Sequence, residues 1–229
     1  MRIAVIGANG FVGKNLVKIL KTKHKIVKIS RKTKFTTFNK DFDLLIHSAN
    51  SSKKYEASNL PLQDFKNSVK LTKKIINHFG NKKIILISTI SANNEKNVYS
   101  KNRKLCENLI LKKNKNNIIF RLSVLLNFNS KRGILYDLIK GKKIYLHKNV
   151  LINPITIEEV AKYILINIKS KQRVHEIGSI NKFKLSYIQN IIGSKSKFGT
   201  KKIKLTSKKN PLVKFNSQKL IDQMKNKIF

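Results

Sequence analysis

Three glycines spaced by three, Gly7, Gly10 and Gly13, follow directly on a short apolar run, Ile3-Ala4-Val5-Ile6. The run suits a strand buried on both faces of a parallel sheet. Lys14 to Leu20 reads as a helix whose Leu16, Val17 and Leu20 turn inward. Strand, glycine turn and helix N-terminus together make an anion site. Gly7 permits the tight turn, Gly10 lets a pyrophosphate reach the backbone, and Gly13 lets helix and strand lie close. The pattern points to a dinucleotide. A mononucleotide phosphate loop is excluded, because Gly13-Lys14 is followed by Asn15 and the glycine that motif needs at position 8 is Ala8.

The next strand, Lys25 to Ile29, bears on the kind of dinucleotide. A carboxylate at its exit would receive ribose hydroxyls, whereas a basic residue accommodates a 2′-phosphate. Here the exit is Ser30-Arg31-Lys32, with no acid. Ser30 and Arg31 favour NADP(H), with NAD(H) as the alternative. The alternative reading of Arg31 and Lys32 is two more surface charges in a basic chain.

The elements that must position such a site follow in alternation. Asp43 to Ala49 is a third strand and its exit. Phe65 to Phe79 is a helix with Val69, Thr72, Ile75, Ile76 and Phe79 near one face. Lys83 to Ser88 is a fourth strand, Tyr99 to Leu111 a helix, and Asn117 to Leu122 a fifth strand. Buried aliphatic strands alternating with helices predict an α/β doubly wound parallel sheet. Ligands in such sheets sit beyond the carboxyl ends of the strands, where Gly13, Ser30, Ala49 and Thr89 fall.

With 229 residues the chain can bury a sizeable core. No apolar run approaches the roughly 20 residues of a membrane span, and strand one starts where a leader would stand, so the cytoplasm is the expected compartment. A single cysteine, Cys106, allows no disulfide framework, and the five histidines lack metal spacing, so no metal site is expected. The net charge of +39 would draw polyanions. Only six of the 50 basic residues are arginine, however, and the lysines run along the whole chain among abundant Ile and Asn. That is compositional drift, not a nucleic-acid stripe with interleaved aromatics. Nonspecific, salt-dependent adhesion is expected; specific nucleic-acid binding is not.

In the order of its motifs the chain resembles the extended short-chain dehydrogenase/reductase family, the NAD-dependent epimerase/dehydratase group. Gly-Ala-Asn-Gly-Phe-Val-Gly at 7–13 is similar to that family's cofactor loop, Asp-Leu-Leu-Ile-His-Ser-Ala at 43–49 to its third strand, and Ile-Ser-Thr at 87–89 to the strand end with the catalytic hydroxyl. Ile-Asn-Pro-Ile-Thr-Ile-Glu-Glu-Val-Ala at 152–161 resembles its return into the sheet, His-Glu-Ile-Gly-Ser at 175–179 its last strand, and Phe-Asn-Ser-Gln-Lys-Leu at 215–220 its closing helix. The resemblance implies a Rossmann core over 1–123 that binds NADP(H). It also implies a small C-terminal substrate lobe over 124–229, with 151–179 returning to the core. Cofactor contacts would come from Gly7, Asn9, Gly10, Phe11, Val12, Gly13, Ser30, Arg31, Ser48, Ala49 and Arg103. Thr89 would hold the substrate oxygen, Tyr99 would be the acid/base, and Arg103 would tune Tyr99 and bind ribose.

The substrate so implied is a small molecule, a nucleotide-linked sugar reduced, oxidised or epimerised at a carbonyl or carbinol carbon. Lys131, Arg132, Lys142, Lys143 and Lys148 are candidates for its diphosphate, although in so lysine-rich a chain each also reads as solvated surface. Pairing of two copies through helices of the sheet domain is a further implication. Three departures stand out. Arg103 occupies the position of the family's lysine, four residues after the tyrosine. Only nine residues separate Thr89 from Tyr99. Ser68 stands where the family often places an asparagine. Arginine supplies charge and donors as a broad fork, not as a compact ammonium. Two other classes stay open: a non-catalytic dinucleotide-binding sensor or assembly protein, and an RNA-associated protein on the same fold.

Overall fold

β1 (Arg2–Ile6) buries Ile3, Ala4, Val5 and Ile6, as an aliphatic run in the middle of a sheet must. The computed structural model describes all residues except 31, 36–37, 52–53, 127–132, 209–212 and 225–229. After β1 the glycine turn leads into α1 (Phe11–Leu20), which buries Gly13, Leu16, Val17 and Leu20 on one face. β2 (Lys25–Ile29) and β3 (Leu44–His47) follow. Between them Phe35, Phe38 and Phe42 pack edgewise or tilted on Phe79 with ring centroids 5.3 to 6.0 Å apart, a cluster that the strand-and-helix periodicity did not announce.

The helix expected over 65–79 is longer and less regular. α2 (Lys54–Asn59) is followed by α3 (Pro61–Phe65), a π-turn over Lys66–Lys70, and α4 (Leu71–Phe79). Pro61 starts α3 because its missing N–H costs nothing in a first turn. Within the wide turn Ser68 Oγ donates to the Asp64 carbonyl, a back-bond of the kind that bends helices. The expected inward face holds: Val69, Thr72, Ile75, Ile76 and Phe79 are all buried.

β4 (Lys83–Thr89), the short α5 (Ser91–Asn94), the long α6 (Val98–Lys113) and β5 (Ile118–Leu122) continue the alternation. Further on come α7 (Ile134–Ile139), β6 (Ile144–Leu146), β7 (Leu151–Ile152), α8 (Ile157–Ile166), β8 (Val174–Ile177), β9 (Phe183–Lys184), α9 (Leu185–Ile191), β10 (Phe198–Lys201) and α10 (Gln218–Asp222). The main sheet has the order β2-β1-β3-β4-β5-β8. β1 pairs in parallel with β2 on one side and β3 on the other, and β3 pairs in parallel with β4. The chain thus winds outward in both directions from β1, and the glycine turn stands at the switch point. This is the α/β doubly wound arrangement expected from the sequence.

The backbone divides into two compact units, Met1–Arg121 with Ala161–His175, and Leu122–Val160 with Glu176–Phe229. In the first, His175 packs against Phe120 and Tyr163, and its Nδ1 lies 3.1 Å from the Tyr163 hydroxyl. The second holds two small sheets, β10 with β6 in parallel and β7 with β9 antiparallel. It is pinned by Asn153, whose Oδ1 accepts from Ser123 Oγ at 2.7 Å and from the Ser207 N–H at 3.0 Å. Asn153 Nδ2 donates to the Ser179 carbonyl at 3.1 Å. Gly178 is required beside it, since a β-carbon there would fall 2.3 Å from Asn153 Nδ2.

Candidate active site

The glycine turn is shaped by close approach. Gly7 has φ +84°, and a β-carbon on it would meet the Ala49 Cα and N at 2.8 Å. Gly13 is tighter still: a β-carbon there would lie 2.2 Å from the Gly7 carbonyl oxygen and 2.7 Å from Ser48 Oγ. The Gly10 N–H donates to the Gly7 carbonyl at 2.9 Å, and the Lys14 N–H to the Gly10 carbonyl at 2.8 Å. Gly10 caps α1 without a side-chain hydrogen bond, and no acid stands in the first turn. The first amides of the helix therefore lack an intrahelical acceptor and suit a phosphate. Asn9 and Gly10 are exposed on the turn, with Phe11 and Val12 half-buried behind them.

The exit of β3 closes the other side of this turn. Ser48 Oγ donates to the Ile6 carbonyl at 2.8 Å, tying β3 to β1. The Ala49 N–H donates to His47 Nδ1 at 3.3 Å, which leaves the ring proton on Nε2, 3.1 Å from Thr72 Oγ1. His47 is wholly buried, and desolvation first, then the charge of Arg103, pushes its pKa down to about 3. It is a neutral brace that holds Ala49 against Gly7. Asn50, next in the chain, buries both Nδ2 and Oδ1 without a partner among the described residues.

α6 presents the second group. Asn97 caps it by accepting from the Ser100 N–H at 2.9 Å, which fixes the register of the first turn. Tyr99 and Arg103 are four apart and share a face. The Arg103 guanidinium carbon lies 4.7 Å from the Tyr99 ring centroid, with Tyr99 6% and Arg103 1% exposed. Arg103 Nη2 donates to Asp64 Oδ1 at 2.9 Å, while Asn102 Nδ2 donates to Asp64 Oδ2 at 2.8 Å. Arg103 Nε and Nη1 are buried and have no partner among the described residues. Unpaired N–H donors beside a tyrosine suit the hydroxyls of a ribose, so the cradle around Gly7 and Gly13 and the orphaned arm of Arg103 both fit a dinucleotide.

A second cation also faces the ring, Lys54 Nζ at 5.8 Å from its centroid, and it is ion-paired with Glu95. Burial, the largest influence, raises the Tyr99 hydroxyl above its ordinary pKa; Arg103 pulls it back, and Asp64 and Glu95 push it up.

The remaining expected residues fall as follows. Thr89 ends β4, and its Oγ1 accepts from the Ser91 N–H at 3.3 Å. Ser30 Oγ accepts from the Lys32 N–H at 3.3 Å. Arg31, Lys131 and Arg132 lie outside the described residues. Lys142 and Lys143 are exposed and lie over Tyr136 and Tyr145, and Lys148 is exposed. Among the described residues no group of three or more His, Cys, Asp or Glu side chains gathers as metal ligands would, and no helix is long and apolar enough to cross a membrane.

Asp64, Asn102, Glu95, Lys54, His47 and Asn50 escaped the sequence reading. One signal pointed toward the acids: the chain has only 11 carboxylates against 50 basic residues, so an acid kept on an apolar helix face stands out.

No protein-family model matches the sequence, and no curated protein matches it. Solved structures do match over its whole length. A UDP-N-acetylglucosamine 4-epimerase from Methanobrevibacter ruminantium, in complex with UDP-N-acetylmuramic acid, gives a TM-score of 0.80 at 16% identity, over 99% of this chain and 96% of that one. A UDP-glucose 4-epimerase from Thermus thermophilus in complex with NAD gives 0.75 at 13%, over 100% and 99%. A dTDP-4-dehydrorhamnose reductase ortholog from Clostridium acetobutylicum gives 0.74 at 15%, over 100% of both chains. At these identities the likeness establishes the Rossmann-type fold.

Proposed function

We propose that this chain is a nicotinamide-dinucleotide-dependent oxidoreductase or epimerase of the extended short-chain dehydrogenase/reductase type. It would act at a carbonyl or carbinol carbon of a nucleotide-linked sugar. One observation carries the reading: within one unit the glycine turn is in contact with Ala49 and through it with His47, and His47 lies within the electrostatic reach of the Tyr99–Arg103 pair. Gly7 abuts Ala49, Ala49 donates to His47, and His47 feels the charge of Arg103, which lies over Tyr99. Epimerases and a reductase that act on nucleotide sugars share the fold, and NAD accompanies one of them.

In this reading Phe11, Val12 and Gly13 offer the pyrophosphate the first amides of α1, Asn9 lies beside it on the exposed turn, and Gly7 and Gly10, whose amides already donate to the Ile29 and Gly7 carbonyls, shape the cradle. Ser48, Ala49 and Asn50 border the dinucleotide from β3, and Nε and Nη1 of Arg103 hold a ribose hydroxyl pair. The dinucleotide, when bound, supplies hydride exchange with the substrate carbon. Tyr99 exchanges a proton with the substrate oxygen, and Thr89 holds that oxygen. Ser30-Arg31-Lys32, lacking a carboxylate, favours NADP(H).

Titration of the protein with NADPH and, separately, NADH tests this by nicotinamide fluorescence. At about 0.15 M salt the Debye length falls to about 8 Å, which suppresses diffuse attraction to so basic a chain. Saturable binding of NADPH, weakened by Arg31→Asp, is the expected result. Absence of saturable binding by either nucleotide contradicts the reading.

A further inference from the structure

Two cations face Tyr99, and each is paired with a carboxylate of its own. Arg103 meets Asp64 at 2.9 Å, with the arginine 1% and the aspartate 5% exposed. Lys54 meets Glu95, whose side chain is buried. The groups around the ring come from four places: Lys54 on α2, Asp64 on α3, Glu95 in the turn after α5, and Arg103 on α6 itself. Their formal charges cancel.

A lone cation beside a tyrosine stabilises tyrosinate and so favours proton abstraction from an alcohol. A cation bonded to a carboxylate presents a short dipole, whose effect at the hydroxyl is much weaker. Arg103–Asp64 is buried on both sides and costly to assemble, and Glu95 is buried although Lys54 is 40% exposed, so two fixed acids here, in a chain this poor in acids, call for a reason beyond stability.

We propose, resting on the function above, that Asp64 is a positioning residue for Tyr99 acting through Arg103. The two paired cations then keep the proton on Tyr99, the form that donates to a carbonyl oxygen. Asp64 does this in two ways. It anchors one arm of the guanidinium and, with Asn102 on its other oxygen, holds the fork over the ring with Nε and Nη1 left over. It also works against the charge that would otherwise draw the proton off Tyr99: burial first raises the hydroxyl pKa, Arg103 lowers it, and Asp64 opposes Arg103.

The reaction balances with a reduced nicotinamide dinucleotide as the two-electron donor. The carbonyl carbon gains a hydride, the π pair moves onto oxygen, and that oxygen takes the Tyr99 proton. The tyrosinate regains its proton from solvent, and the dinucleotide leaves oxidised. Epimerisation and dehydration instead begin with an alcohol that must lose a proton to Tyr99, the step this charge arrangement disfavours.

The test reads Tyr99 ionisation in the cofactor-free protein, by tyrosinate absorbance near 295 nm against pH, with Tyr99→Phe subtracted in each background. In Asp64→Asn, checked for folding by circular dichroism, Tyr99 is expected to ionise at a pH lower by about one, because Arg103 is left as a lone cation. Asp64→Glu is expected to restore much of the wild-type value. Glu95→Gln, which frees Lys54, is expected to move Tyr99 the same way and serves if Asp64→Asn does not fold. With the alcohol of a nucleotide-linked sugar as substrate, the wild type should oxidise it only as the pH rises toward that at which Tyr99 loses its proton. In Asp64→Asn that rise should come at a pH lower by about one. An unmoved Tyr99 in folded Asp64→Asn and Glu95→Gln proteins that still bind NADPH overturns this inference alone. Failure of the wild type to bind either dinucleotide overturns the parent reading and the inference with it.

Discussion

Arg121 on β5 grips Glu107 on α6 with two bonds inside the core, Nε to Oε1 at 2.9 Å and Nη2 to Oε2 at 2.6 Å. Ser88 Oγ at the end of β4 donates to the same Oε1 at 2.7 Å. Glu107 is fully buried, and Lys104 approaches its Oε2 at 3.7 Å. One carboxylate thus locks the tyrosine helix to two neighbouring strands. Glu107→Gln keeps the shape but takes the carboxylate charge from the Arg121 guanidinium, and should cost about 3–5 kcal/mol in a urea unfolding measurement. Replacing both partners by apolar residues of similar volume should cost less than that.

The contact of Gly13 with Gly7 makes a second case. A methyl group at position 13 meets backbone at 2.2 Å, which no rotamer relieves. Gly13→Ala should weaken NADPH binding more than tenfold and lower stability. Gly141 supplies the control. Its φ is +61° with nothing within 4 Å of a β-carbon, so Gly141→Ala should cost about 1 kcal/mol from backbone strain and leave NADPH affinity unchanged.

His47 gives the protein a pH dependence whose sign is fixed. Its pKa is about 3 in the folded chain against an ordinary 6.5, so below 6.5 the unfolded chain binds a proton that the folded chain refuses. Its stabilising contribution is complete above pH 6.5 and is lost as the pH falls toward 3, a change on the order of a few kcal/mol. His47→Gln, with an amide that can still meet Thr72, should flatten the slope of unfolding free energy between pH 6 and 4. Thermal or urea melts across that range are the measurement.

The sheet was readable in advance because strands buried on both faces are written as unbroken aliphatic runs, and β2 falls on the expected Lys25 to Ile29. The inward face that runs from the π-turn into α4 was readable because Val69, Thr72, Ile75, Ile76 and Phe79 repeat with helical spacing. Tyr99 and Arg103 stood out through the family resemblance, and their spacing of four puts them on one helix face. The partners of Arg103 and Glu107 did not, since Asp64 lies 39 residues from Arg103 and Arg121 lies 14 from Glu107. Pairing at such separation is decided by the packing of α3 and β5 on α6, which no local period records. The π-turn at Lys66–Lys70 was hidden likewise, because its residues have ordinary helical composition. Asn153 escaped because it acts by gathering Ser123, Ser179 and Ser207, three unremarkable serines spread over 84 residues of sequence.

The central claim is that Tyr99 protonates a substrate oxygen while the dinucleotide reduces the adjoining carbon. The most direct measurement is deuterium transfer from NADPH labelled at the nicotinamide C4 to a panel of nucleotide-linked keto sugars, read by mass spectrometry of the product. The wild type should place one deuterium on the former carbonyl carbon. Tyr99→Phe should bind NADPH within about twofold of the wild type yet transfer label about 10²–10⁴-fold more slowly. Transfer that is undiminished in Tyr99→Phe, or no transfer by a wild type that binds NADPH saturably, would contradict the account.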